Sequence, residues 1–230
     1  MKIKLVIRIF AAVILIAAAA ATVINLKRTS PASATVNDCT IIIDAGHGGM
    51  DGGTAGEDGT LEKDLNLDIA LRLKEYFTLT GFYVEMTRED DLENTDWNEF
   101  NKAEDMNARV SLMNSFPNAV VISIHQNKFS DEKYSGAQVF YSENNEESKL
   151  LAECIKQGIK NDIQPENQRE IKPGNENSCV LSMAENPAVI VECGFLSNTQ
   201  ELNLLKDENY RSKLAFSIYS STINFLNLQE

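Results

Sequence analysis

Short apolar runs and segments with helical spacing alternate along most of the chain. The apolar runs are rich in β-branched and aromatic residues, as is typical of buried strands, and cover residues 40–43, 82–86, 119–124, 137–141 and 187–191. The helical segments cover residues 61–79, 98–114, 146–161 and 201–226, while residues 164–177, with two prolines, are predicted to form a surface loop. In the first helical segment Leu61, Leu65, Ile69, Leu73 and Phe77 fall four apart and form one apolar face. This alternation predicts a single α/β domain whose sheet is covered by helices on both faces.

The first 34 residues differ from the rest of the chain. Three basic residues precede an almost purely apolar run over residues 9–26, which two more basic residues follow. This order is typical of a secretory signal, and the length of the run also fits an uncleaved anchor, since about 17–25 residues span a bilayer. Ala32-Ser33-Ala34 offers a small-residue cleavage site. We therefore expect residues 1–34 to be a signal peptide or membrane signal anchor with a linker, and residues 35–230 to be exported.

The expected exported part is strongly acidic. The whole chain has 21 Lys and Arg against 34 Asp and Glu, a formal net charge of −13. Five of the basic residues and none of the acids precede residue 35, so the remainder has 16 basic against 34 acidic residues, or −18. Because a body of this charge repels nucleic acid and anionic membrane surfaces, a nucleic-acid function is excluded.

Four cysteines lie in this acidic part, at positions Cys39, Cys154, Cys179 and Cys193. They lack the CxxC spacing of a zinc ribbon. A disulfide is possible outside the cell, but a domain of this size can build its core without one. We expect the cysteines to be small, buried apolar residues.

Polar side chains with catalytic chemistry follow three of the predicted strands. His47 follows the first strand, His125 the third and Glu192 the last, and these are the only two histidines of the chain. If the strands are parallel, their carboxyl ends meet at one edge of the sheet, where α/β proteins bind ligands. Imidazole and carboxylate ligands suit Zn²⁺, and a catalytic zinc keeps three protein ligands and one open position. The sequence therefore favours a metal site at this edge, although a histidine can also serve as a hydrogen-bonded structural residue.

Glu62, at the start of the first predicted helix, is the candidate third ligand. The alternative is purely structural, because an acid in the first helical turn is favoured by the helix dipole, here with Thr60 as the N-cap. The residues alone leave these two interpretations open. Glu192 could likewise do no more than cap its strand. Since an unpaired carboxylate is costly to bury, a role as general base and acid beside metal-activated water explains it better.

The loop over residues 46–59 contains seven glycines. A phosphate-binding loop would end in Gly-Lys-Ser/Thr, which is missing, and Asp51 replaces the last glycine of a Gly-x-Gly-x-x-Gly pattern. Asp51, Glu57 and Asp58 would also repel phosphate. We expect the glycines instead to let the backbone turn tightly around His47.

Six short segments together resemble the zinc-dependent N-acetylmuramoyl-L-alanine amidases. They are IIDAGHGG at 42–49, DGG at 51–53, GTLEK at 59–63, TR at 87–88, SIHQN at 123–127 and VECGFLSN at 191–198. The similarity runs from about residue 40 to 224, with the motifs in the order of the family. It implies that His47, Glu62 and His125 bind one Zn²⁺ per chain and that Glu192 is the catalytic carboxylate. It also implies a mixed, mostly parallel sheet flanked by helices, as in the zinc aminohydrolases.

The resemblance implies a reaction and a substrate as well. Zinc-activated water would cleave the amide that joins N-acetylmuramic acid to the L-alanine of the peptidoglycan stem peptide, with Glu192 moving the proton. The alternatives are a zinc carboxypeptidase or aminopeptidase with a similar site, or a non-catalytic wall-binding activator, although all four site positions are filled here. Ala45 and Gln126 stand where the family usually has a proline and a small residue, but neither is a ligand position.

The resemblance is greatest to the short spore-cortex amidases that prepare muramic lactam formation. We expect neither a wall-binding repeat module nor an occluding insertion between His125 and Val180. An open zinc site in a wall hydrolase endangers its own cell, and the charge of the body gives no attraction to an anionic wall. We therefore expect an exported or membrane-anchored activator protein that docks on the acidic body and raises zinc occupancy or substrate access.

Overall fold

A computed structural model describes residues 38–91, 101–175 and 178–229. The predicted signal or anchor segment lies outside these residues. Within the described ranges, no helix is both long and apolar enough to cross a membrane.

Six strands of the described chain form one sheet, in the order β2-β1-β3-β6-β4-β5. They are β1 (Thr40–Ala45), β2 (Tyr83–Met86), β3 (Ala119–Asn127), β4 (Gln138–Tyr141), β5 (Lys172–Pro173) and β6 (Ala188–Phe195). β1 is parallel to β2 and β3, and β3 is parallel to β6. β4 is antiparallel to β6 and parallel to β5. The predicted mixed, mostly parallel sheet is confirmed.

Helices cover both faces of this sheet. Those in the described residues are α1 (Glu62–Leu79), α2 (Lys102–Met113), α3 (Glu147–Asp162), α4 (Cys179–Met183), α5 (Thr199–Lys206) and α6 (Glu208–Asn227). Successive residues of β1 point to opposite faces, so Ile41 and Ile43 join the core beneath α1, α3 and α6 while Ile42 joins the core beneath α2 and α4. All three isoleucines are fully buried. Because helices cover both faces of β1, its successive residues are all apolar, which explains the continuous apolar run in the sequence.

Two strands continue beyond their apolar runs. β3 extends to Asn127 and β6 to Phe195, so His125 and Glu192 lie within strands and not after them, as the sequence pattern had suggested. The reason is that a ladder of backbone hydrogen bonds does not depend on apolar side chains. Of the three predicted strand-end residues, only His47 lies in a loop.

The glycine-rich loop folds back on the start of α1. Leu61 is the N-cap residue and no side chain caps this helix, so the predicted cap at Thr60 is wrong. Instead, the backbone N–H of Glu62 donates to the carbonyl of Thr54, 2.9 Å away. Because the loop satisfies the first donors of the helix, it is held directly against Glu62.

Other differences are local. The predicted loop over 164–177 contains the two-residue strand β5, and the five-residue helix α4 follows it. The closing helical segment is two helices, since Asp207 ends α5 and its side chain accepts a hydrogen bond from the backbone of Asn209 at the start of α6. α2 begins at Lys102, and the predicted start of that helix at residue 98 lies outside the described residues.

Candidate metal centre

The three predicted ligands come from three separate elements and meet at one point. His47 lies in the loop after β1, Glu62 is the first residue of α1, and His125 lies near the end of β3. One ligand atom from each lies within 4.8 Å of the other two. Glu62 Oε1 is 3.3 Å from His47 Nε2 and 3.0 Å from His125 Nδ1.

This donor set fits a zinc ion. Zinc binds imidazole nitrogen and carboxylate oxygen at about 2.0–2.1 Å, so tetrahedral ligands stand about 3.3 Å apart. The two spacings that involve Glu62 Oε1 match that edge length. Two histidines and one glutamate also form a known catalytic zinc set, which leaves the fourth position open for water or substrate.

The backbone of His47 is held in an unusual conformation. Its φ is 62°, in the left-handed region that side chains other than glycine rarely adopt. Arg109 Nη2 donates to the His47 carbonyl at 2.7 Å, and Asp51 Oδ2 lies 3.0 Å from His47 Nδ1. A carboxylate at Nδ1 favours the tautomer with hydrogen on that nitrogen, which leaves the Nε2 lone pair facing Glu62. Asp51 also forms a salt bridge with Lys102, whose Nζ lies 3.0 Å from Asp51 Oδ2.

Two glycines of the loop leave room for the ligands. A Cβ added at Gly46 would lie 2.3 Å from the ring of His125. One added at Gly53, where φ is +65°, would lie 2.6 Å from Glu62 Oε2 and 2.7 Å from the His47 ring. These glycines therefore permit both a turn around His47 and a close approach of loop and ligands.

Glu62 is buried and fully hydrogen-bonded. Its Oε2 accepts from the backbone N–H of Thr54 at 2.8 Å, and its Oε1 accepts from the backbone N–H of Gln126 at 3.1 Å and from Asn66 Nδ2 at 3.3 Å. Burial alone would raise the pKa of Glu62, but contact with both imidazoles outweighs it and holds that pKa well below the ordinary range. Glu62 is therefore a preorganised, ionised carboxylate in the first turn of α1.

Glu192 lies beside the three candidate ligands and forms no hydrogen bond with any of them. It is the direct partner of His125 across β3 and β6. Its Oε2 is buried and has no hydrogen-bond partner among the described residues. Burial raises the pKa of Glu192 to about 7. A carboxyl group with this environment can take up and release a proton near neutral pH.

These side chains open into a cleft of about 340 Å³. Its lining includes the polar side chains of Asp51 and Lys102 and the apolar side chains of Phe140 and Ile190. His47, His125 and Glu192 lie on its surface. The cleft therefore gives a ligand access to two of the candidate metal ligands and to Glu192.

Sequence reasoning missed the buried ion pair beneath the site. Arg109 Nη1 lies 2.7 Å from Asp44 Oδ1 and also donates to the carbonyl of Ala45 at 2.9 Å. Asp44 is further bonded by the hydroxyls of Ser123 and Thr87. Asp44 could have been found from its place at the end of β1. Arg109 gave no signal, because an arginine on a helix is usually solvent-exposed.

All four cysteines are free in the structure. Cys193 is buried as predicted, whereas Cys39 and Cys154 are half-buried and Cys179 is exposed at the start of α4. The expectation of four buried cysteines is therefore correct only for Cys193.

Comparison with known proteins adds independent support. A family model described as N-acetylmuramoyl-L-alanine amidase matches residues 41–224. The germination-specific N-acetylmuramoyl-L-alanine amidase of Bacillus subtilis (strain 168) is 35% identical over 205 residues, which cover 87% of this chain and 85% of that protein. The CwlD amidase of Clostridioides difficile, solved in complex with the GerS lipoprotein, is 38% identical with a TM-score of 0.77, and the match covers 83% of this chain and 99% of that one.

A further solved structure, an N-acetylmuramoyl-L-alanine amidase from Clostridium difficile 630, is 29% identical with a TM-score of 0.72. The match covers 82% of this chain and 97% of that one. Motif order, sheet topology and these similarities agree. The chain belongs to the family of N-acetylmuramoyl-L-alanine amidases.

Proposed function

We propose that this amidase is zinc-dependent and hydrolyses the amide between N-acetylmuramic acid and the L-alanine of the stem peptide. His47, Glu62 and His125 would hold the ion, and Glu192 would be the catalytic acid and base. The observation that carries the proposal is the cluster of these three donors beside a buried carboxylate oxygen that has no partner among the described residues.

A zinc ion in such a site acts as a Lewis acid that activates water as a nucleophile at neutral pH and polarises a carbonyl group. The protein residues have separate tasks. Asp51 fixes the tautomer of His47, and the hydrogen bonds to Glu62 hold its carboxylate in one orientation. Glu192 remains free of such bonds, so its unpartnered oxygen can face the reacting water.

Glu192 would transfer one proton during the reaction. It accepts the proton from the attacking water, whose oxygen forms a bond to the carbonyl carbon of the lactyl group. It then donates that proton to the amide nitrogen, and the carbon–nitrogen bond breaks. The glycan keeps a new carboxyl group, and the stem peptide leaves with a free α-amino group.

Mass analysis of the products tests this reaction. Purified protein is incubated with zinc and peptidoglycan, and the released fragments are separated and identified. An amidase releases intact stem peptides that begin with L-alanine and leaves peptide-free glycan. A carboxypeptidase or aminopeptidase would instead shorten the peptide, and such products would contradict the proposal.

We further propose that the amidase acts on the spore cortex. The support is the similarity to a germination-specific amidase. Removal of the stem peptide frees the lactyl carboxyl group, which muramic lactam formation requires. Deletion of the gene should abolish muramic lactam in spore peptidoglycan, and complementation with the Glu192→Gln variant should not restore it. Normal muramic lactam in the deletion strain would contradict this role.

We also propose that residues 1–34 export the protein and that residues 35–230 form the catalytic domain. The basic flanks and the apolar run over residues 9–26 support this arrangement. Fractionation of cells that express the full chain tests it. Deletion of residues 1–34 should retain the protein in the cytoplasm, and export of the truncated chain would contradict the proposal.

Finally, we propose that an exported or membrane-anchored protein activates the amidase. The CwlD amidase of Clostridioides difficile, which is 38% identical, was solved in complex with the GerS lipoprotein. The acidic surface of the chain offers no electrostatic attraction to an anionic wall, so a partner could supply localisation. The test is an assay of the purified protein alone, with saturating zinc and intact peptidoglycan. Turnover of about 1 per second or more without any added protein would contradict the proposal.

A further inference from the structure

A second groove lies at the same end of the sheet as the metal centre. Its volume is about 580 Å³, and its lining includes Tyr134, Gln164 and Arg169. None of the four proposed catalytic and ligand residues lines it. The groove therefore needs an explanation of its own.

Arg169, which lines the groove, contacts the strand next to that of the proposed catalytic carboxylate. Gln138 of β4 is the direct partner of Glu192 of β6, so the two side chains emerge on the same face of the sheet. Gln138 Oε1 accepts a hydrogen bond of 3.1 Å from Arg169 Nη1. The strand spacing of about 4.8 Å, together with the Gln138 side chain and its hydrogen bond, places the Arg169 guanidinium on the order of 10 Å from Glu192.

Arg169 carries a positive charge that no described acidic residue pairs with directly. Its Nε donates to the carbonyl of Ser135 at 2.7 Å and its Nη1 donates to Gln138. A guanidinium group has five N–H donors, so most of its donor capacity remains for a ligand. The Arg169 side chain is half-buried.

The acidic residues that line the groove are Glu201 and the exposed Glu166. Glu201 is buried and accepts backbone hydrogen bonds from Gly136 and Phe195, each at 2.8 Å. Lys133, the other cation of the groove, forms a salt bridge with Asp131 at 2.7 Å. Arg169 interacts electrostatically with Glu201 but donates no hydrogen bond to it, so its remaining N–H donors are available to an anion.

Aromatic rings hold the guanidinium in place. Arg169 Cζ lies 4.4 Å from the centre of the Phe195 ring and 5.9 Å from that of Tyr134. Tyr134 and Phe195 stack on each other with centres 6.4 Å apart. A guanidinium stacked on a ring directs its N–H edge away from that ring, which suits two-point binding of a carboxylate.

We infer that this groove is a subsite for the stem peptide, in which Arg169 binds a free carboxylate that lies beyond the L-alanine. The inference rests on the proposed amidase function. An extended peptide spans about 3.3–3.6 Å per residue, so a carboxylate on the second residue of the stem peptide reaches Arg169. The occupant is the peptide and not the glycan, because sugar hydroxyls and acetamido groups carry no charge for the guanidinium to bind.

Paired substrates test the inference. Two soluble muropeptides are compared whose second stem-peptide residue carries either a free α-carboxylate or the corresponding carboxamide. The Arg169→Gln variant should raise KM for the acid by about 10- to 100-fold, with kcat changed less than about twofold. The KM for the amide should not change. The matched control is Lys213→Gln, which removes one exposed cation of α6 outside the groove and should leave both KM values unchanged.

Equal KM increases for the two substrates would mean that Arg169 only supports the groove structurally, and would overturn the inference. The Arg169→Gln variant keeps an N–H donor but loses the positive charge. A second variant, Arg169→Lys, keeps the charge. It should recover part of the discrimination between acid and amide. Failure of Arg169→Lys to discriminate any better than Arg169→Gln would also contradict the inference.

A binding measurement separates this subsite from the proposed reaction. Stem peptides with the acid or the amide at the second residue are titrated calorimetrically into the Glu192→Gln variant, with and without Arg169→Gln. We expect the acid peptide to bind at least tenfold more tightly, and only when Arg169 is present. Such binding, found together with a parent protein that releases no stem peptide, would disprove the reaction but keep the subsite, whereas equal binding of both peptides would disprove the subsite.

Discussion

His125 and Glu192 are direct neighbours across the parallel strands β3 and β6, and their side chains emerge on the same face of the sheet. One is a candidate metal ligand and the other is the proposed catalytic carboxylate. Their separation is fixed by the backbone ladder and not by flexible loops. This arrangement gives the site the positional accuracy that catalysis requires.

The Glu192→Gln variant should retain zinc but lose activity. Glutamine keeps the size of the side chain and removes its ability to accept a proton, so turnover should fall by at least about 100-fold. The measurement is the rate of stem-peptide release, together with the zinc content of the same preparation. The control is Glu185→Gln, an exposed acid before β6. Near-parental turnover of Glu192→Gln would show that the assigned role is wrong.

Zinc binding should depend on each of the three proposed ligands. We expect about one zinc per chain in the parent protein and a loss of most of it in His125→Ala and in Glu62→Gln. Elemental analysis after dialysis against dilute chelator measures this. Glu57→Gln is the matched control, because Glu57 is an exposed acid of the glycine-rich loop that precedes Glu62. Undiminished zinc in His125→Ala would rule out this ligand set.

Much of this site could be predicted from the sequence because its two histidines and Glu192 follow apolar runs. His125 and Glu192 come after continuous β-branched runs, and parallel strands bring their carboxyl ends together. The exact register between them could not be predicted, since pairing extends past the apolar residues into polar ones. Glu62 was ambiguous because an acid in the first helical turn has a local explanation. Only the folding of the loop against α1 brings Glu62 to the histidines.

Long-range polar contacts were the part that the sequence did not reveal. Asp44 and Arg109 belong to different elements, and neither has a local pattern that names its partner. Their contact depends on how α2 packs on the sheet. The Arg169 contact with Gln138 is of the same kind, because it joins a loop residue to a strand.

The ion pair between Arg109 and Asp44 should stabilise the fold most strongly at pH values above the pKa of an ordinary aspartate. Burial alone would raise the pKa of Asp44, but Arg109 and the bonded hydroxyls hold it below its ordinary value of 3.8. The stabilisation is therefore complete above the unfolded-state pKa of about 3.9 and is lost as the pH falls through the lower folded-state pKa. At pH 7, Arg109→Met should lower the free energy of unfolding by about 3–5 kcal/mol, because it leaves a buried carboxylate unpaired.

Denaturant unfolding in excess chelator measures this effect, since metal binding then makes no contribution. The difference between parent and Arg109→Met should shrink as the pH is lowered below about 4 and through the lower pKa that Asp44 has in the folded parent protein. Lys74→Met is the control, because it removes a more exposed salt bridge with Glu89 and should cost at most about 1 kcal/mol. Equal losses in the two variants at pH 7 would contradict the prediction.

Gly53→Ala and Gly59→Ala should separate backbone strain from a steric effect on the metal centre. Both glycines have positive φ, at +65° and +84°, so alanine at either position should cost about 1–2 kcal/mol of stability. A Cβ added at Gly53 would lie 2.6 Å from Glu62 Oε2 and 2.7 Å from the His47 ring, so it would contact two of the proposed ligands. A Cβ added at Gly59 would have no described atom within 4 Å. We therefore expect Gly53→Ala to weaken zinc binding at least about tenfold, a change of about 1.4 kcal/mol, and Gly59→Ala to leave it unchanged. Competition with a chromophoric chelator measures both affinities, and equal values would show that the loop does not set the positions of the ligands.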